Sequence, residues 1–300
     1  LIHGLLDFQR HGRPAYRETF AKLAKGQSPD CFFVSCSDSR VVPNVFASTH
    51  PGELFVARNV GNMVPPSDAQ GVSIGDTSEA SALEYALLVL NVPDIIVCGH
   101  SSCGAMGAIH DGHGPCGASN LTRWLELGHP ALARLKAGEL SQEPLSASDR
   151  LSQINVLQQL EHLKTYPIVR ERLERGTLRL HAWWFDIAAA QVHVHRPESG
   201  RYVPIDEFEG HRLLQTGHRG LTTREGAGRG ARALTSRPPP TLCGSACGAA
   251  WIHQELGRRG RIGLCVGASM PRLLVLILLC FLGFAGGGRL VSGLEVACAE

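Results

Sequence analysis

The stretch DIIVCGHSSC, residues 94–103, changes character at Gly99: an apolar run gives way to a histidine and a cysteine three apart. A short, continuously apolar run that follows breaker residues, here Asn91-Val92-Pro93, reads as a strand buried on both faces. CFFVSC, residues 31–36, has the same shape, with Ser28-Pro29-Asp30 before it and polar SDSR after it. Strands of this kind belong to parallel sheets covered by helices.

Around these two strands the pattern alternates. Residues 1–26 read as an amphipathic helix with Leu5, Phe8, Tyr16, Phe20 and Leu23 at helical spacing and Pro14 as an interruption. ELFVA (53–57) reads as a strand and GNMVPP (61–66) as a loop. Thr77 or Ser78 caps a helix through about Leu90, with Leu83, Leu87 and Leu90 on one face. Another helix begins near Gly104, and two more span about 120–137 and 148–175, before strands at 178–187 and 190–195. The expected fold class is α/β: a mostly parallel β-sheet flanked by helices, with an N-terminal helical arm and an antiparallel edge strand.

Charge divides the chain in two. Residues 211–300 carry eleven Arg and no Lys against four Glu, whereas the preceding part has an acidic excess. The first part therefore offers no basic patch for nucleic acid. We read residues 1–209 as the working domain and 210–300 as an Arg/Gly-rich tail, whose composition fits a disordered extension or a shifted reading frame. The apolar run 273–285 is thirteen residues long, short of the roughly twenty that span a bilayer, so membrane contact is not expected. Ten cysteines in a chain with this much core point to reduced thiols and a cytoplasmic setting, not a disulfide framework. The start, Leu1-Ile2, is not an initiator Met and leaves the true N-terminus open.

The chemistry gathers at two strand ends. Sites in open α/β sheets lie beyond the carboxyl ends of strands. If the 31–36 and 94–99 strands are neighbours, Cys36, His100 and Cys103 converge. Two thiolates and one imidazole with a fourth place open match a catalytic zinc site, because a structural site is closed by a fourth Cys or His. Asp38 and Arg40, two apart, face the same way in an extended segment, so the arginine can aim the carboxylate at the open place. Cys31, Cys98 and Cys116 read as bystanders, His110 and His113 as surface histidines. Cys243-x-x-x-Cys247 lacks the spacing of a redox pair.

These residues sit in long motifs: GQSPD (26–30), SCSDSR (35–40), PGELFVARNVGN (51–62), EASALEYAL (79–87) and VCGHSSCGAM (97–106). Together they resemble the β-class carbonic anhydrases over about two thirds of the chain. The resemblance implies one zinc ion per subunit on Cys36, His100 and Cys103, and a catalytic dyad of Asp38 and Arg40. It also implies a substrate niche of Gln27, Phe55, Val60 and Tyr85. The implied reaction is reversible hydration of carbon dioxide to bicarbonate and a proton by zinc-bound hydroxide, in a homodimer or higher homo-oligomer with pockets at the interface. Hydrolysis of carbonyl sulfide or carbon disulfide on the same zinc is the alternative. Bicarbonate-inhibited members have Trp, Gly and Tyr where this chain has Phe33, Ser35 and Phe185, so the resemblance implies an open site with Asp38 off the metal.

Overall fold

In the computed structural model, residues 1–112, 117–215, 249–254 and 262–267 are described. His113, Cys116, Cys243, Cys247 and the apolar run 273–285 lie outside them. Contacts between residues divide the chain into two units, Leu1–Arg229 and Gly230–Glu300.

The first unit is built on a six-stranded sheet of order β2-β1-β3-β4-β5-β6. Its strands are β1 (Cys31–Cys36), β2 (Leu54–Asn59), β3 (Asp94–His100), β4 (Arg179–Asp186), β5 (Gln191–Arg196) and β6 (Arg201–Pro204). β2, β1, β3 and β4 run parallel, and β5 and β6 fold back antiparallel as an edge. Every residue of β1 and β3 is buried, as their unbroken apolar runs require. One face carries Phe32, Val34, Ile95 and Val97 against helices; the other carries Cys31, Phe33, Ile96 and Cys98.

Where the helices depart from the expected spans, proline accounts for most of it. The 148–175 segment is two helices, α8 (Ala147–Thr165) and α9 (Pro167–Glu174), because Tyr166 is driven to extended backbone (ψ 123°) by the proline after it. The 120–137 segment divides likewise into α6 (Ser119–Leu125), a 3₁₀ turn (Glu126–Gly128) and α7 (His129–Lys136), with Pro130 in the first turn of α7. The arm comprises α1 (Ile2–Asp7) and α2 (Arg13–Leu23), joined by a π-turn at Phe8–Gly12. Pro14 has no N–H to return to Arg10, and the widened turn ahead of it keeps the rod continuous. The remaining helices are α3 (Pro43–Phe46), α4 (Ser78–Glu84, extended by a π-turn to Val89), α5 (Gly104–Asp111) and α10 (Glu207–Gln215).

The Arg201–Pro204 strand and the short α3 have no counterpart in the sequence reading. Helix α10 carries ordered structure past residue 209: Glu209 is buried between Arg196 and Arg212. In the second unit, Ala249–Gln254 and Ile262–Gly267 pair as an antiparallel two-stranded sheet. No helix among the described residues is long and apolar enough to cross a membrane.

Candidate metal centre

Cys36 ends β1 and His100 ends β3, and the two strands are paired neighbours. Gly99 lets α8 close on this end of β3, since a Cβ there would meet Val156 Cγ2 at 2.8 Å and Ser152 Oγ at 3.0 Å. Ser152 Oγ donates to the His100 carbonyl at 2.8 Å, fixing the strand terminus. Cys103 follows as the N-cap of α5. The turn between them places Ser102 at φ +54°, left-handed backbone that a serine holds only with support. Asp149 Oδ1 accepts the Ser102 N–H at 2.6 Å, and the Ser102 carbonyl accepts Arg40 Nη2 at 3.0 Å. As a result the ligand atoms of Cys36, His100 and Cys103 lie within 4.8 Å of one another, all three residues buried.

The donor set fits a metal. His100 Nδ1 lies 2.9 Å from the Ser101 carbonyl, which can only accept, so Nδ1 carries the hydrogen and Nε2 the lone pair. That Nε2 is buried without a hydrogen-bond partner. An orphaned buried acceptor costs about 1–3 kcal/mol, a penalty that a bound cation removes. Two thiols and an imidazole whose other nitrogen is held by a carbonyl form the donor set of a zinc site with an open position. The Cys36 thiol is already poised: a hydrogen bond from Cys103, with another from the Gly61 N–H, holds it far below its ordinary range despite burial. The same hydrogen bond, with burial, pushes Cys103 up.

Beside this cluster stands Asp38. Arg40 Nε and Nη2 donate to its Oδ1 and Oδ2 at 2.9 and 2.7 Å, and the Arg40 backbone N–H adds a third bond at 3.0 Å. This clamp keeps the Asp38 carboxyl well below the usual carboxylate range, although partial burial works the other way. Asp38 Oδ2 remains 4.0 Å from His100 Nε2, adjacent to the cluster yet tied to Arg40. Arg58 braces the segment from below, donating to the carbonyls of Cys36 (3.0 Å) and Asp38 (2.7 Å).

Val60 opens the loop that walls the cluster. The next residue, Gly61, has φ +80° and donates to Cys36 Sγ at 3.4 Å; a Cβ on it would lie 3.1 Å from Ala105 and Met63. Asn155 Nδ2 holds the Gly61 carbonyl at 3.1 Å and is itself oriented by Gln159. One chain thus brings together Cys36, His100, Cys103, Asp38, Arg40 and the Val60 loop. It does not bring Gln27, Phe55 or Tyr85 to them. Phe55 pairs with Phe32 whereas Cys36 pairs with Asn59, four residues or roughly 13 Å further along the strand. Tyr85 packs on Phe55 with ring centroids 5.7 Å apart, and Gln27 lies in the linker before β1.

Comparison with known proteins gives the family. Residues 31–192 match the family model described as carbonic anhydrase. A carbonic anhydrase of Pseudomonas aeruginosa is 42% identical over 211 residues, which cover 69% of this chain and 91% of the relative. The solved β-carbonic anhydrase CcaA superposes with a TM-score of 0.63 at 33% identity, over 69% of this chain and 91% of that one. This chain belongs to the β-class carbonic anhydrase family. Its reaction is the reversible hydration of carbon dioxide to bicarbonate and a proton. A tetrameric β-carbonic anhydrase from Sordaria macrospora superposes with a TM-score of 0.56 at 28% identity, over 64% of this chain and 93% of its own.

Several residues that shape this carbonic anhydrase's site escaped the sequence reading. Ser102 stood in plain sight between two ligands, but its left-handed turn has no signature in a serine. Arg58 follows the ELFVA strand inside the PGELFVARNVGN motif, and nothing there marks it as a brace for the segment after Cys36. Asp149, on a distant helix, carries no local signal at all.

Proposed function

We propose that this carbonic anhydrase uses one zinc ion per subunit held by Cys36, His100 and Cys103, with Asp38 and Arg40 as its catalytic pair. The unpartnered, buried Nε2 of His100 between two thiols carries the reading. When bound, zinc supplies the Lewis acid that makes water a nucleophile near neutral pH.

The chain's own residues do the rest. Asp38, ionised and clamped, presents an acceptor oxygen beside the cluster and so orients a hydroxyl donor there. Arg40 keeps Asp38 in that pose, and its bond to the Ser102 carbonyl locks the dyad to the turn that carries Cys103. Its positive charge also offsets part of the two thiolates' negative charge, which by itself would oppose ionisation of water. Held in this way, Asp38 would stay off a bound metal, as in an open site.

Carbon dioxide is small, apolar and electrophilic at carbon, so it needs an apolar niche and one polar donor. Val60 supplies part of the niche within one chain. Gln27, with the Phe55–Tyr85 pair, completes it from a neighbouring copy in a homo-oligomer. The arm supports this assembly: α1 and α2 bury no residue, while Ile2, Leu5, Phe8 and Phe20 are exposed. Such an apolar stripe needs a partner. The free thiols of Cys31, Cys36, Cys98 and Cys103 suit a reducing, cytoplasmic setting. Residues 1–209 supply the catalytic machinery, and the Arg/Gly-rich tail beyond α10, which ends at Gln215, is outside it.

Stopped-flow hydration of carbon dioxide, with parallel assays on carbonyl sulfide and carbon disulfide and zinc quantitation, tests this reading. Turnover of carbon dioxide that scales with zinc content supports it. Zinc-independent turnover, or faster turnover of the sulfur gases, overturns it.

A further inference from the structure

A cavity of about 260 Å³ lies where α5, α7 and the first turn of α8 meet. His110, Leu132, Leu135, Lys136, Glu139 and Arg150 line it. The Arg150 Nε is buried and has no hydrogen-bond partner. Among the described residues no carboxylate pairs with Arg150 or Lys136. The carboxylate in the lining, Glu139, is already committed: Arg134 Nε and Nη2 take its two oxygens at 2.6 Å each. His110 Nδ1 is held by Asp111 at 2.8 Å.

Two cations thus face one small space without a counter-charge of their own. The leucine walls weaken solvent screening, which makes an unpaired guanidinium costly and an anionic guest favourable. Arg150 also sits in the first turn of the 19-residue α8, where the helix dipole favours negative charge. A guanidinium presents a planar fork that matches two oxygens of one group. At about 30 Å³ per water, the cavity holds roughly nine waters, a size that suits a small ion.

We propose that this cavity is a second anion site, separate from the metal centre, that takes a small oxyanion of the carboxylate or phosphate type through Arg150 and Lys136. The test is calorimetric titration of the zinc-loaded full chain, in chloride-free buffer, with inorganic phosphate and separately with acetate. Anions that reach the metal do so equally in all variants, so the comparison with Arg150→Gln and Lys136→Gln isolates the cavity. The expected result is a binding event for at least one probe that weakens about tenfold or more in Arg150→Gln. It weakens less in Lys136→Gln, with hydration of carbon dioxide unchanged in both. Lys136 is exposed, so Lys136→Gln keeps the test decisive should Arg150→Gln fail to fold. Isotherms identical in wild type and variants, or no binding of either probe beyond the metal centre, would overturn the proposal.

Discussion

Asp149 accepts the backbone N–H of Ser102 at 2.6 Å, joining the start of helix α8 to the turn between two metal ligands across 47 residues of chain. The bond is charge-assisted and supports a left-handed serine, so its loss frees both Cys103 and the carbonyl that anchors Arg40. Hydrogen bonds to charged groups contribute about 1.5–3 kcal/mol. Asp149→Ala should therefore lower turnover roughly tenfold or more and speed zinc loss to a chelator, while Asp149→Asn, which keeps an acceptor, falls between. Unchanged zinc release in Asp149→Ala would remove the residue from this role.

Asp38 and Arg40 act beside the metal but do not hold it. Asp38→Ala and Arg40→Ala should retain a full zinc equivalent and lose about 10²–10⁴-fold in turnover, the range for a positioned acid–base group. Metal analysis and stopped-flow kinetics on the same samples separate this outcome from simple zinc loss. With Asp38 clamped by Arg40, a structure of the zinc-loaded enzyme near neutral pH should show a solvent ligand, not Asp38, on the metal.

Deleting residues 1–26 tests the assembly. The arm is folded yet no residue of α1 or α2 is fully buried, with Leu23 against Gly52 as a contact to its own domain, so its removal should reduce the oligomer, seen by sedimentation, and reduce turnover with it. Zinc content should stay near one per chain, because the three ligands are local to one subunit. A truncated protein that keeps both the assembly and full turnover would show that the arm is not the contact.

Asp94 anchors an ion cluster at the opposite end of the sheet, accepting from Arg179 at 2.6 and 2.7 Å and from His181 at 2.7 Å. Burial raises its pKa, but the hydrogen bonds from His181 and Arg179 outweigh that and leave it lowered. A depressed carboxylate stabilises the fold above its unfolded pKa of about 3.9 and loses that contribution as pH falls through the folded value. Asp94→Asn should cost about 2–3 kcal/mol in urea unfolding at pH 7, discounted because Arg179 is 40% exposed. The gap between variant and wild type should shrink below pH 4. A gap that stays constant down to pH 2.5 would show that Asp94 is not the source.

Much of this could be read before any coordinates, for physical reasons that differ by residue. CFFVSC and DIIVCG are apolar on both faces, and only a central strand of a covered sheet tolerates that, so two buried strands are legible; that they are paired neighbours, on which the convergence of Cys36 with His100 depends, is seen only in the structure. The breaks at Tyr166-Pro167 and near Pro130 were equally available, since Pro167 drives Tyr166 to extended backbone and Pro130 suits the first turn of a new helix, but amphipathic spacing on either side masked them. Arg201–Pro204 is too short and too polar to announce itself; it forms because β5 offers an open edge. The niche residues show the opposite limit. Gln27, Phe55 and Tyr85 are marked by motif, yet the register of β2 on β1 sets Phe55 and Tyr85 well away from Cys36 within one chain. Sequence carries no distance between subunits.

The most direct measurement is hydration of carbon dioxide by stopped flow, with zinc quantified in the same samples, on the intact chain and on Cys36→Ser, His100→Ala and Cys103→Ser. The expected result is about one zinc per chain and rapid hydration in the wild type, with zinc and turnover lost together in each variant. A variant that keeps both its zinc and its rate, or a wild type that hydrates carbon dioxide without zinc, would contradict a metal centre built on these three residues.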